Sequence, residues 1–182
     1  MRFNIFKRTF VVFIILMAIF LVGCQKTHKY SIHAQQCERI FDCTPAQLLK
    51  SDHACLDTVG DFRKKSYVDK NGHLMLVLTE SQREAMKDWL MDFSELEDRS
   101  DIEVSEDLSC MTIYYLPGLS ERDSVAFENM SRAATSVAEK IVLIKMLDGV
   151  PDEDISIFCI QKNIETGEVI CTETVTPTVV DP

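Results

Sequence analysis

Seven cysteines are the residues of this 182-residue chain with the most distinctive chemistry. A cysteine thiolate can attack an electrophile, bind a metal ion or form a disulfide. Cys24 stands alone at the end of an apolar run near the N-terminus. The remaining six fall three each into a polar region and into extended segments: Cys37, Cys43 and Cys55, then Cys110, Cys159 and Cys171. The isolated cysteine and the two groups therefore predict different chemistry.

The segment before Cys24 is typical of an export signal. It begins with Arg2, Lys7 and Arg8 and no acidic residue, and 13 apolar residues follow over 10–22. A basic segment ahead of an apolar run of this length is the pattern of a secretory signal peptide. As a helix the run would be about 20 Å long at ~1.5 Å per residue, whereas a bilayer core is about 30 Å thick. The length therefore favours a signal over a membrane span.

The four residues Leu21-Val22-Gly23-Cys24 resemble the lipobox of bacterial lipoproteins. In that family a diacylglyceryl group is joined to the cysteine thiol, and the peptide bond before the cysteine is then cut. The resemblance implies that residues 1–23 are a lipoprotein signal peptide and that Cys24 carries acyl chains such as palmitate. The domain would then be held to the cell membrane on its extracytoplasmic side. The alternative is an uncleaved short anchor in which Cys24 is incidental.

The charge of the mature chain excludes one class of partner. Loss of Arg2, Lys7 and Arg8 leaves 16 basic residues against 29 acidic ones, a net charge of −13. Nucleic-acid binding depends on lysine and arginine neutralising phosphates, so we expect no nucleic-acid partner. Anionic lipid head groups would repel the same surface. The expected partners are the membrane, through the acyl chains, and an unidentified protein or small ligand.

The other six cysteines are candidates for disulfides, because their number is even and the chain is predicted to be exported. Three bonds in fifteen pairings are permitted, and the alternative is that the cysteines in strands are buried thiols. A further interpretation is a zinc site formed by Cys37, Cys43, His53 and Cys55. Zinc sites usually contain a C-x₂₋₄-C pair, and C-x₅-C is looser, so disulfides or free thiols are favoured. We expect no metal and no cofactor.

No catalytic motif is present. H-E-x-x-H, G-x-S-x-G, S-x-x-K and a phosphate-binding glycine loop are all missing from the sequence. We therefore expect no catalytic residues and no enzyme activity. Four aromatic residues, Trp89, Phe93, Tyr114 and Tyr115, are able to line a ligand groove, although core packing explains their spacing equally well. The acidic residues over 92–107 are expected to form a solvated loop.

The elements that position these residues follow from periodicity and turn signals. Residues 24–60 are predicted to form a tether and a cysteine-containing lead-in, with a short helix from Thr44-Pro45. An α+β domain is predicted over 61–176, and 177–182 form a C-terminal tail. Its predicted elements are a hairpin at Asn71-Gly72, a helix capped by Thr79, a strand pair over 101–116, a long helix started by Ser120 with Asp123 and ended by Gly149 and Pro151, and a hairpin at 165–167.

This order predicts a mainly antiparallel sheet built from hairpins, with two amphipathic helices on one face. The layout of an N-G turn, the LTESQREAM helix start and the closing ETGEV hairpin is similar to small lipoproteins of Gram-positive bacteria with no established function. That resemblance covers residues 61–176 and implies no activity.

The leading functional hypothesis is a lipid-anchored extracytoplasmic binding or interaction domain of unknown ligand. The alternative is a structural or accessory subunit of a membrane complex, and an uncharacterised enzyme is third. An exposed apolar patch would favour binding, whereas a pocket with convergent titratable groups would favour an enzyme.

We expect replacement of Cys24 by alanine to abolish incorporation of labelled palmitate and to leave an unprocessed precursor, because the thioether cannot form. Metabolic labelling and gel electrophoresis measure both outcomes. Cys43→Ala is the matched control and should be labelled and processed normally. Normal labelling of the Cys24→Ala variant would contradict the lipoprotein hypothesis.

Overall fold

The computed structural model describes residues 26–50, 59–93, 101–116, 118 and 123–177. Within them lie seven strands: β1 Thr27–Ile32, β2 Tyr67–Val68, β3 Leu74–Thr79, β4 Ile102–Val104, β5 Cys110–Tyr115, β6 Ile157–Asn163 and β7 Val169–Val175. They also contain four helices: α1 Ala34–Phe41, α2 Pro45–Lys50, α3 Glu80–Leu90 and α4 Ser124–Leu147. This content confirms the predicted α+β class. In the same ranges no helix combines the length and apolar character needed to cross a membrane.

The strands form two sheets, whereas the sequence predicted one. The first sheet has the order β1-β3-β2, and the second has the order β4-β5-β6-β7. All neighbours are antiparallel except β5 and β6, which run parallel. Parallel neighbours need a crossover connection, and α4 lies in the chain between these two strands. The long helix therefore decides which strands of the second sheet are adjacent.

The predicted tether and lead-in over 24–60 are wrong for residues 27–41, which form a strand and a helix, whereas the short helix predicted from Thr44-Pro45 is confirmed as α2. β1 pairs antiparallel with β3 along its whole length, from Thr27 opposite Thr79 to Ile32 opposite Leu74. The following helix α1 buries Cys37 and Ile40 in the same core. β1 is an edge strand with an exposed face, so only Ile32 within it is buried and the period of two is hard to recognise. The fold begins at β1 rather than at residue 61.

Local signals set the starts of α3 and α4. The start of α4 was predicted from Ser120 with Asp123; Asp123 is its N-cap, and Ser120 lies outside the described residues. Thr79 and Gln82 form a capping box at the start of α3, and the Asp123 carboxylate accepts a hydrogen bond from the Ala126 N–H at 2.9 Å at the start of α4. The β2–β3 hairpin is confirmed with a longer loop than the predicted two residues. Its Asp69 N–H donates to the His73 carbonyl at 2.9 Å, and Gly72 between them has a φ of 85°. A positive φ is costly for residues with a Cβ.

Two hydrophobic cores form, one beneath each sheet. The first core contains Ile32, Cys37, Ile40, Phe41, Leu48, Val59, Phe62, Leu74, Leu76, Leu78, Met86, Leu90, Leu143, Ile144 and Leu147. The second core contains Ile102, Met111, Ile113, Met130, Ala134, Val137, Ala138, Ile141, Val142, Ile155, Ile157 and Cys159. α4 contributes to both, so it joins the two halves of the fold.

We expect Ile32→Ala to lower the free energy of unfolding by about 3 kcal/mol, because Ile32 is fully buried and its removal leaves a cavity. Urea denaturation followed by circular dichroism measures the change. Ser31→Ala is the matched control in the same strand; Ser31 is exposed, and its loss should change little. Equal stability of the two variants would contradict the placement of β1 in the fold.

Candidate ligand-binding groove

A groove of about 300 Å³ lies between α4 and the second sheet. The strand register places Met111, Cys159 and Glu173 side by side across β5, β6 and β7. Alternate residues of a strand point to the same face, so Gln161 and Val175 line the groove with them. The floor is therefore apolar, and polar groups come from β6 and β7.

The helix side of the groove comes from residues spaced three and four apart on α4. Ala134 and Ala138 lie nearest the sheet and are buried, while Ser131 and Thr135 stand beside them. Residues at this spacing share one face of a helix. The two alanines have the smallest side chains that a helix readily accepts, so they leave space that larger residues would fill.

An ion pair stands beside the groove. The Arg39 Nη1 of α1 donates to Glu139 Oε1 of α4 at 2.9 Å. The Glu139 side chain is only 12% exposed, and that of Arg39 is 48% exposed. A mostly buried carboxylate needs a charged partner, which Arg39 supplies. The charge of Arg39 is thereby offset by Glu139.

Burial and a negative charge both act on the ionisable groups along the groove. Burial, with a smaller contribution from the Glu173 carboxylate opposite it, raises the pKa of the Cys159 thiol to about 11. Burial also raises the pKa of Tyr115, with an added effect of Glu173, although a hydrogen bond with Ser131 opposes the change. Both groups are therefore neutral at pH 7, and Glu173 makes the groove electrically negative.

These groups suit binding better than covalent chemistry. A nucleophilic cysteine works as a thiolate, and the Cys159 pKa of about 11 keeps it protonated. Among the described residues that line the groove there is no histidine to act as a base for that thiol. What the groove offers is an apolar floor, several hydrogen-bonding groups and a carboxylate.

The structure separates the predicted cysteine sites. Cys37, Cys110, Cys159 and Cys171 are free thiols, whereas Cys24 and Cys55 lie outside the described residues. No disulfide joins any two of these four.

The zinc interpretation lies partly outside the described residues. Two of its four residues, His53 and Cys55, fall where nothing is described. The described ranges contain no group of three or more metal-binding side chains placed to hold an ion.

The four aromatic residues considered as groove-lining side chains divide between different surroundings. Tyr115 lines the groove, and Tyr114 lies on the opposite face of the sheet, where its hydroxyl donates to Glu103 at 2.8 Å. Trp89 stacks on Phe41 at a ring-centroid distance of 5.4 Å and packs against the first core. Phe93 contacts both cores.

Acidic residues of the β4–β5 turn serve the turn itself. The hydroxyls of Ser105 and Ser109 donate to the Asp107 carboxylate at 2.7 and 2.8 Å. These hydrogen bonds lower the pKa of Asp107 to about 2. The carboxylate is thus bound by its own turn.

The closest histidine pair also has a local structural role. The His33 and His73 rings lie 4.8 Å apart, and His33 Nδ1 accepts a hydrogen bond from the Gln35 N–H at the start of α1. That bond caps the helix.

Arg39, Glu139, Gln161 and Glu173 of the groove were not predicted from the sequence. One sequence signal for Glu139 was available. Glu139 stands next to Lys140 within the apolar stretch of α4, and a carboxylate that becomes buried there needs a partner. Arg39 lies 100 positions away in a segment predicted to be a tether.

Comparisons with known protein families, with curated proteins and with solved structures gave no match for this chain.

We expect iodoacetamide at pH 8 to alkylate Cys171 in the native protein while Cys37 and Cys159 stay unmodified. Cys171 is exposed, whereas burial raises the pKa of Cys37 to about 12 and that of Cys159 to about 11. At pH 8 a thiol of pKa 11 is about one part in a thousand thiolate. Peptide mass spectrometry measures each site, and urea-unfolded protein, in which all three sites should react, is the control. Equally rapid alkylation of Cys159 and Cys171 in the native protein would contradict the arrangement of the groove.

Proposed function

We propose that the protein is a lipid-anchored extracytoplasmic binding domain whose groove takes a small organic molecule with a positively charged amine beside an apolar group. The observation that carries this proposal is the placement of the Glu173 carboxylate against an apolar floor on the face of the sheet that meets α4. Binding sites are commonly apolar with a few polar groups that orient the ligand.

The charges along the groove favour a cation. Arg39 is paired with Glu139, so these two charges offset each other. Glu173 is hydrogen-bonded only by the neutral Gln161 side chain, at 3.4 Å, among the contacts that the structure gives it. One negative charge is therefore uncompensated, and an ammonium group is its complement.

The rest of the groove fits an apolar body of moderate size. Met111 and Ile113 are buried in its floor, and Ala134 and Ala138 face them from α4. Contact with these side chains removes apolar surface from water, which favours binding at about 25 cal/mol per Å². The Tyr115 and Ser131 hydroxyls lie along the same groove and add hydrogen-bonding groups.

The anchor places this domain near the bilayer. Lipid on Cys24 would be attached three positions before Thr27, where β1 begins. Three residues extend at most about 11 Å at ~3.6 Å each, so the first sheet would lie close to the head groups rather than on a long tether. The groove uses Ser131–Glu139 of α4, whereas Leu143, Ile144 and Leu147 belong to the first core. Ligand would therefore be bound at the second sheet, whereas the lipid anchor lies next to the first sheet.

Binding of cyclohexylmethylammonium to the full chain in detergent tests the proposed ligand class, with cyclohexylmethanol as its neutral counterpart. We expect the ammonium compound to bind more tightly, and Glu173→Gln to weaken it about fivefold, the equivalent of about 1 kcal/mol for an exposed charge pair. The alcohol should bind both proteins equally. Isothermal titration calorimetry gives the affinities, and saturation-transfer NMR detects the bound probe.

Glu165→Gln is the matched control, because Glu165 is an exposed carboxylate in the β6–β7 turn outside the groove. Thr135→Trp should block both probes, since Thr135 is exposed on α4 at the groove. Binding of neither probe, or binding that Thr135→Trp leaves unchanged, would contradict the groove as a binding site. Equal affinity for both probes would contradict the preference for a cation.

A further inference from the structure

Charge is divided unevenly between the two sheets. In the second sheet and the described segments that flank its strands, 101–116 and 150–177, ten residues are acidic and Lys162 alone is basic. In the first sheet and its flanks, 26–33 and 59–79, two residues are acidic and six are basic: Lys26, Lys29, Arg63, Lys64, Lys65 and Lys70. The net charge of the mature chain predicted repulsion from anionic head groups, but it averages over a negative sheet and a positive one.

The two acidic residues of the first sheet leave most of its positive charge in place. The Asp61 carboxylate pairs with Lys64 Nζ at 2.7 Å. The Asp69 carboxylate accepts hydrogen bonds from the Asn71 and His73 N–H groups at 2.9 and 2.8 Å, within the β2–β3 turn. Two acidic residues offset two of the six basic ones, so the described part of this sheet keeps a net positive charge.

The outward face of the first sheet combines a lysine with an exposed tyrosine. The leucines of β3 enter the first core, so Met75 and Val77 between them lie on the opposite face. Lys29 pairs with Val77 and Tyr67 with Met75, and Lys29 Nζ stands 5.1 Å from the centroid of the Tyr67 ring. Lysine attracts phosphates, and tyrosine is enriched where a bilayer meets water. This face therefore has the composition of a head-group contact.

The start of β1 places this face next to the bilayer. A lipid on Cys24, or the apolar run before it, would attach the chain to the membrane immediately ahead of β1. Lys29 is five positions from Cys24, a distance of at most about 18 Å at ~3.6 Å per residue. The inference rests on this proposed attachment in either form. Attachment at this point holds the positive sheet, rather than the negative one, within reach of the head groups.

We propose that the outward face of the first sheet docks on the anionic head groups of the bilayer. Each lysine near such a surface adds to the attraction, and a basic surface together with an acyl attachment binds more firmly than either alone. The acidic second sheet is repelled by the same head groups. Attraction at one sheet and repulsion at the other would give the anchored domain a single orientation.

Quenching of tryptophan fluorescence by brominated lipid tests the docked orientation. The full chain is added to vesicles of brominated phosphatidylcholine, either alone or mixed equally with brominated phosphatidylglycerol. Tyr67→Trp should be quenched strongly on the mixed vesicles and about twofold less on phosphatidylcholine, which lacks the anionic head groups. Phe158→Trp is the matched control, because Phe158 of the second sheet is 46% exposed and Tyr67 is 44% exposed. It should stay unquenched on both vesicles.

The unmodified chain supplies the Trp89 signal, which is subtracted from that of each variant. Equal quenching of Tyr67→Trp on the two kinds of vesicle would overturn the proposal. Stronger quenching of Phe158→Trp than of Tyr67→Trp would overturn it as well.

Removal of positive charge from the first sheet tests the electrostatic cause. Lys65→Gln and Lys70→Gln, made together in the Tyr67→Trp chain, should each lower the ratio of docked to undocked protein about fivefold. Arg132→Gln with Lys162→Gln is the control pair, since it removes the same charge from α4 and β6 and should leave the quenching unchanged. Salt at ~1 M, where screening acts over about 3 Å, should abolish the quenching on mixed vesicles. Equal effects of the two pairs would overturn the proposal.

Vesicle flotation and mass spectrometry of the N-terminal peptide read the attachment separately. A chain that floats without acyl groups would contradict the lipid on Cys24, and the quenching would still decide the docking. A chain that floats with acyl groups while Tyr67→Trp stays unquenched on mixed vesicles would overturn the docking and leave the anchor standing. A chain that does not float would overturn both.

Discussion

Helix α4 is packed against two different cores, and the rest of the fold depends on that arrangement. Its 24 residues extend about 36 Å at ~1.5 Å per residue, longer than either sheet needs alone. Residues up to Val142 fill the core of the second sheet, and Leu143, Ile144 and Leu147 fill the core of the first. Neither sheet has a complete core without this helix, because the described core of each includes side chains that α4 supplies.

The same helix explains where the proposed ligand groove lies. Because α4 connects β5 to β6, the two strands run parallel, and β7 is left at the edge of the sheet. Ala134 and Ala138 face the second sheet and leave the space that becomes the groove. The two faces of β7 then differ. Glu173 and Val175 line the groove, while the residues opposite Phe158 and Ile160 belong to the open face. The proposed ligand site thus lies on one face of the edge strand β7.

Local chemistry made the helix starts and hairpins predictable. Thr79 and Asp123 cap their helices through side chains that contact backbone three residues on, and Gly72 supplies a positive φ in its turn. Non-local structure was not predictable in this way. β1 lacks a clear period because one face is exposed, and its partner β3 lies more than 40 positions along the chain. The groove was missed for the same reason, because Arg39 and Glu139 meet only after α1 packs on α4.

Unfolding monitored at both cores tests most directly whether α4 makes them one cooperative unit. The single tryptophan, Trp89, reports on the first core through its stacking on Phe41, and alkylation of the buried Cys159 reports on the second. A two-state domain loses all its probes together. The account predicts coincident urea midpoints for both signals, and an equal shift of both in Leu143→Ala. Protection of Cys159 that persists after the Trp89 transition is complete would contradict it.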